Sequence, residues 1–168
     1  MSGLVLRDAT PADLPGLQAI YAGHVLAGTA SFEETAPGLA EMGERLAAVQ
    51  DAGLPWLVAV LEGRIAGYAY ASRFHTRSAY RYTVEDSIYL HPEFQRRGIG
   101  RALLAELIGR CTALGLRQMV ARIGDSANQA SIRLHAAAGF APAGTLEQVG
   151  FKFGRWLDVV HMQRRLSS

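Results

Sequence analysis

The sequence predicts an α/β fold, on three observations. Helical periodicity and strand-like alternation take turns along the chain. One stretch, Tyr82 to Leu90, alternates cleanly, and one, Ile99 to Leu114, carries an unbroken apolar stripe. A turn with glycines at 98 and 100 joins the two, which places a strand, a turn and a helix in the order that α/β proteins use for ligand sites.

Each element can be justified in order. Leu4 to Arg7 is a short strand. Thr10 precedes Pro11 and stands three residues before Asp13, a helix start, and Leu14, Leu17, Ile20, Tyr21 and Val25 follow at helical spacing. A second helix covers Leu39 to Ala52 and ends at Gly53. Trp56 to Leu61 and Ile65 to Ala71 flank Glu62-Gly63-Arg64 as a hairpin. A polar loop, Arg73 to Arg81, leads to the strand Tyr82 to Leu90. There Val84, Asp86, Ile88 and Leu90 share one face, and Thr83, Glu85, Ser87 and Tyr89 the other. His91-Pro92 ends it, because proline cannot donate to the ladder. In the next helix Ile99, Leu103, Leu104, Leu107, Ile108, Cys111 and Leu114 line one side, and Gly115 stops it. Leu116 to Ile123 is a buried strand and Gln129 to Ala138 a shorter helix. Strands near Phe140 to Gln148 and Arg155 to Gln163 surround a turn from Gly150 to Gly154.

Composition bounds the function. The 168 residues suit one domain, residues 1–168, with 49% hydrophobic and 19% charged residues, which argues against disorder. The net charge is +2, Lys152 is the sole lysine, and the arginines are scattered apart from Arg96, Arg97 and Arg101. No basic stripe of the kind a duplex binder needs is present, so no nucleic-acid partner is expected. The lone Cys111 lies among apolar residues and reads as core. The N-terminal residues do not read as a signal peptide, and no apolar run reaches about 18 residues, so a cytoplasmic protein without a membrane partner is expected. No His/Cys/Asp set has metal-ligand spacing, so no metal is expected.

The turn Gln95-Arg96-Arg97-Gly98-Ile99-Gly100 carries the chemistry. The first amides of a helix lack internal partners and bear partial positive charge, so they bind anions. Glycines at 98 and 100 let a phosphate approach the backbone, and Arg96, Arg97 and Arg101 add charge. Taken alone, the stretch also fits a plain helix start with exposed arginines. It is neither a Walker A loop nor a dinucleotide fingerprint, since no Lys-Ser/Thr follows the glycine and residue 103 is leucine.

The pattern Gln/Arg-x-x-Gly-x-Gly/Ala, following Ile88-Tyr89-Leu90-His91-Pro92 and preceding Asn128…Ser131…Leu134-His135…Gly139-Phe140, resembles the GNAT superfamily of N-acetyltransferases. Further segments resemble its phosphinothricin and methionine sulfoximine N-acetyltransferase branch. These are Ser31-Phe32-Glu33, Arg77-x-Ala79-Tyr80, Thr83-Val84-Glu85-x-Ser87-Ile88-Tyr89, Ala121-x-Ile123-Gly124 and Gly150-Phe151-Lys152-x-Gly154-x-Trp156-x-Asp158. The resemblance spans nearly the whole chain. It implies a mixed, mostly antiparallel twisted sheet of about six or seven strands with about four helices, and a cofactor cleft where two parallel strands splay apart. It implies acetyl-CoA as co-substrate and a small amino-acid-like substrate such as phosphinothricin, methionine sulfoximine or methionine sulfone.

The resemblance also assigns roles. The pantetheine arm pairs with the backbone of Ile88, Tyr89 and Leu90. The diphosphate sits on the amides of Arg96, Arg97, Gly98, Ile99, Gly100 and Arg101, and Asn128 and Ser131 reach the cofactor. Glu85 matches the proposed general base that takes the ammonium proton, although a bond to Arg77 or Arg81 would make it structural. Asp86 is a rival acid that reads better as a structural partner. His135 stands where many relatives carry a tyrosine that protonates the departing thiolate; a packing role is the alternative. Arg77 suits a substrate carboxylate or phosphinate, with Tyr80 beside it and Phe32 as a wall. Lys152 and Trp156 could serve their own pocket or that of a second subunit, since the family dimerises. Rival functions are acetylation of a protein N-terminus or a polyamine, and non-catalytic acyl-CoA binding.

Overall fold

A computed structural model describes residues 2–166. The chain runs β1 (Val5–Asp8), α1 (Leu14–Ala27), α2 (Leu39–Asp51), β2 (Trp56–Leu61), β3 (Arg64–Arg73) and β4 (Thr83–Leu90). It continues with α3 (Ile99–Ala113), β5 (Gln118–Gly124), α4 (Gln129–Ala137), β6 (Ala141–Lys152) and β7 (Arg155–Arg165). The seven strands form one sheet in the order β1-β2-β3-β4-β5-β7-β6. Every neighbouring pair is antiparallel except β4 and β5. The α/β class and the mixed, mostly antiparallel sheet therefore match the expectation.

Helices cover both faces. Trp56 and Val58 of β2 join Leu17, Ile20, Val25, Met42 and Leu46 of α1 and α2, while Leu57, Ala59 and Leu61 join Leu103, Leu104 and Leu107 of α3. A strand buried on both sides reads as a continuous apolar run, and Trp56–Leu61 is one. Cys111 is fully buried in the α3 core, and burial, with the nearby charge of Asp86, pushes its thiol up to about 12. It is core and not nucleophile, as its neighbours in sequence suggest.

Two local expectations need correction. Thr10 and Asp13 do form a reciprocal cap, but it closes a short 3₁₀ turn, Pro11–Asp13, ahead of α1. The late turn is tighter than the glycines suggest. β6 extends through Lys152, and the hairpin turns on Phe153 and Gly154 alone, at φ 53° and 71°. Left-handed conformations at both positions let a two-residue loop match the twist of the strands it joins. Gly150, Phe151 and Lys152 are therefore strand residues.

Among the described residues no helix is long and apolar enough to cross a membrane. No group of three or more His, Cys, Asp or Glu among them is placed to hold a metal.

Candidate active site

The parallel pair sets the site. β4 and β5 are in register from Thr83↔Gln118 to Asp86↔Ala121. Beyond that point both strands continue, to Leu90 and Gly124, without pairing to each other. A wedge opens between them and leads into a cavity of about 1040 Å³. Glu85, Asp86, Ser87, Ile88, Tyr89 and Leu90 line one side of it, and Ala121, Arg122, Ile123 and Gly124 the other.

One end of the cavity is the start of α3. Gly98 caps the helix at φ 77°, a conformation that costs glycine nothing and strains a side chain. The first helical bond runs from the Ala102 N–H to the Gly98 carbonyl, so the amides before it are unclaimed by the helix. At Gly100 a Cβ would already touch Leu90 and Leu134 at 3.5 Å, so a larger side chain would fill the cradle. Arg96 and Arg101 line the cavity here. Arg97 does not: its guanidinium turns outward to Glu62 at 2.8 Å and lies over Phe94. The Ile99 side chain is buried in the core, so only its backbone can serve the cradle. Asn128 caps α4 by accepting from the Ser131 N–H and donates to the Gly124 carbonyl, and both Asn128 and Ser131 line the cavity. Free helical amides, glycines where bulk would block and two arginines suit a diphosphate. His24 of α1 meets the Leu90 carbonyl at 2.9 Å and fixes the end of β4 beside this cradle.

The other end is polar and built on the α1–α2 side of the sheet. Glu33 takes a bidentate grip from Arg45 of α2, at 2.6 and 2.9 Å, and a hydrogen bond from the Tyr21 hydroxyl. Arg45 holds the Glu33 carboxyl below its ordinary range, while burial and then Glu33 push the Tyr21 hydroxyl up to about 12. The segment that carries Glu33 is anchored at several points. Thr29 donates to Asp125 at 2.5 Å, Lys152 donates to the Ser31 carbonyl at 2.7 Å, and Ser31 shares a hydrogen bond with Tyr21 at 2.9 Å. The Phe32 ring lies between two glycines: a Cβ on Gly124 or Gly150 would stand 2.5 or 2.3 Å from it. Phe32 thus forms part of the cavity lining.

Glu85 lines the cavity on the expected face of β4, but its partner is neither Arg77 nor Arg81. Arg122, on β5, contacts Glu85 Oε2 through Nη2 at 2.7 Å and Nε at 3.1 Å. Asp86, on the opposite face, is buried and bonds His135 of α4 at 2.7 Å through Nε2. His135 Nδ1 meets the Ser131 carbonyl at 2.8 Å. His135 lines the cavity, is only 4% exposed and has both ring nitrogens engaged. Burial disfavours the charged ring, but the hydrogen bond and charge of Asp86 outweigh it and raise the pKa above the ordinary value. The pair ties α4 to β4 where the wedge begins.

The remaining substrate-side expectations fall outside this cavity. Arg77 caps a short 3₁₀ turn, Ser78–Tyr80, and Tyr80 packs on Phe74 and His75. Lys152 is buried on the Ser31 carbonyl, and burial lowers its pKa. Trp156 is exposed and packs at a tilt against Phe151. Arg122 and Glu33 are the charged cavity residues that sequence reasoning did not assign. Arg122 carries one signal, its place on the face of β5 opposite the apolar Met119, Ala121 and Ile123.

The acetyltransferase (GNAT) family profile matches residues 17–140. The chain belongs to the GNAT family. It is 56% identical to phosphinothricin N-acetyltransferase of Alcaligenes faecalis over 98% of this chain and 82% of that protein. It is 44% identical to an L-methionine sulfoximine/L-methionine sulfone acetyltransferase of Pseudomonas paraeruginosa, over 96% of this chain and 94% of that one. A GNAT-superfamily phosphinothricin acetyltransferase from Sinorhizobium meliloti, solved in complex with acetyl-CoA, superposes with a TM-score of 0.95 at 53% identity. That likeness covers 98% of this chain and 89% of that one. The GNAT fold accounts for the parting of β4 and β5.

Proposed function

We propose that this GNAT protein transfers an acetyl group from acetyl-CoA to the α-amine of a small amino acid of the phosphinothricin, methionine sulfoximine and methionine sulfone kind. The observation that carries this reading is the shared cavity. An anion cradle at the start of α3 and the carboxylate of Glu85 open into one space between two parting strands. The relatives named above act on these substrates, and the chain aligns with them over nearly its full length.

When bound, acetyl-CoA supplies an activated acyl carbonyl. The amides and arginines at the α3 start hold its diphosphate, and β4 offers the backbone of Ile88 to Leu90 as an edge for its arm. The backbone amide near Leu90 polarises the acyl oxygen. Glu85 accepts the ammonium proton, directly or through water, and so frees the nitrogen lone pair for attack in a ternary complex; the N–C bond would form as the thioester C–S bond breaks, and CoA would leave as its thiolate, to be protonated from solvent. His135 acts by positioning: with Asp86 it holds α4, and hence Asn128 and Ser131, against β4.

We further propose a cytoplasmic homodimer. Leu146, Val149, Phe151, Phe153 and Trp156 project from the β6–β7 hairpin with more than half their surface exposed. Clusters of this kind mark interfaces, and a second copy is the occupant that the family supports. Sedimentation equilibrium at micromolar concentration should return twice the chain mass.

The decisive assay is thiol release from acetyl-CoA over a panel of phosphinothricin, methionine sulfoximine, methionine sulfone, spermidine and an N-terminal peptide. Turnover should be confined to the amino acids. Preference for the polyamine or the peptide would refute the reading.

A further inference from the structure

Charge is distributed unevenly along the cavity. Among the described residues three arginines line it. Arg96 and Arg101 stand at the α3 end, and Arg122 alone stands at the end that holds Glu33 and Glu85. The two carboxylates are satisfied differently. Each oxygen of Glu33 receives its own nitrogen of Arg45. The contacts from Arg122 both converge on Oε2 of Glu85, and no described residue bonds Glu85 Oε1 or Arg122 Nη1. A guanidinium can serve two oxygens side by side, so this pairing leaves part of each group's capacity unused. Both line the cavity; the Glu85 side chain is 18% exposed, whereas that of Arg122 is 52% exposed.

We propose that Glu85 and Arg122 together form a receptor for the zwitterion of an α-amino acid, with the ammonium on Glu85 and the α-carboxylate on Arg122. This rests on the acetyltransferase reading and goes beyond it by naming the group that selects the substrate class. An α-amino acid carries a cation and an anion on one carbon. The protein offers an anion and a cation in direct contact, the complement of that arrangement. Exchange of one oxyanion for another at a half-exposed guanidinium costs little, because such pairs are weakly held. The exchange places the amine nitrogen against the carboxylate that must take its proton. A polyamine has no carboxylate to offer, and a peptide N-terminus has its own locked in an amide, so neither satisfies Arg122. Arg77, which suits a carboxylate chemically, lies outside this cavity.

The test compares methionine sulfone with methionine sulfone carboxamide in the thiol-release assay. The proteins are wild type, Arg122→Gln, Arg122→Lys and Arg77→Ala. Arg122→Gln should raise KM for methionine sulfone about 10–100-fold while changing KM for the carboxamide less than about twofold, because only the former loses a charge-assisted bond. Arg122→Lys should recover part of the loss, and KM for acetyl-CoA should hold in every variant. Equal losses on both substrates, or an unchanged KM for methionine sulfone, would overturn the proposal. So would a shift that follows Arg77 instead. Wild type that turns over both compounds equally would overturn it while leaving the acetyltransferase reading intact. Wild type inert toward every amine would overturn both.

Discussion

Asp86→Asn should invert the pH dependence of stability. In the wild type, burial disfavours the His135 cation, but Asp86 and the Ser131 carbonyl more than compensate, and the folded pKa lies above the ordinary 6.5. A group whose pKa is raised on folding contributes stability that is complete below its unfolded pKa. The contribution is lost as pH climbs through the folded value. Asparagine keeps the volume and a hydrogen bond but removes the charge; burial, the largest influence, then outweighs the Ser131 carbonyl, the smallest, and the folded pKa drops under 6.5. The variant then gains stability as pH rises towards 6.5 and is flat above it. Breaking a buried pair by removing one partner costs about 3–5 kcal/mol. A protein of 168 residues loses about 2–4 °C of Tm per kcal/mol, so the gap at pH 6 should be about 6–20 °C and should narrow by pH 9. Thermal melts from pH 5.5 to 9, with NMR titration of the His135 ring, measure both quantities. A gap that is constant with pH, or a variant ring that still titrates above 6.5, would refute the reasoning.

Three other substitutions probe the site. Glu85→Gln should lower kcat about 10²–10⁴-fold through loss of the base, with acetyl-CoA affinity unchanged by calorimetry; matched losses in both would make Glu85 structural. Gly98→Val puts a β-branched residue at φ 77°, a strain of about 1–3 kcal/mol, and should weaken acetyl-CoA binding at least about tenfold. Normal calorimetric affinity would move the diphosphate elsewhere. Gly150→Val sets a side chain against the Phe32 ring, should cost about 1–3 kcal/mol in denaturant melts, and should raise KM for the amino acid but not for acetyl-CoA. A variant that melts and binds like the wild type would remove Phe32 from the wall.

Much of this was legible in the residues. The period of two in β4 set Glu85 and Asp86 on opposite faces, and the structure keeps them there. The strand-turn-helix order located the cradle because the cause is local: a glycine that can adopt a positive φ, followed by free helical amides. Arg122 was not legible as a partner of Glu85. Their contact depends on a parallel pairing between strands that lie 37 residues apart at this pair, which no local pattern encodes. Lys152 and Trp156 were misplaced because Gly150 looked like the beginning of the turn. Its lack of a side chain instead makes room for Phe32, while Phe153 adopts the positive φ. His135 had the right residue type for a proton donor, but only the fold reveals that Asp86 and Ser131 occupy both nitrogens.

The anchoring of residues 29–33 bears on how a ligand is received. A hydroxyl, an ammonium, a phenol and a ring wedged between two glycines hold the segment from four directions. Its conformational entropy is thus surrendered during folding, and an arriving amino acid meets a wall already set instead of a flap to be frozen. Amide exchange across this stretch should therefore be slow without ligand and change little when substrate is added, and association should proceed without a gating step.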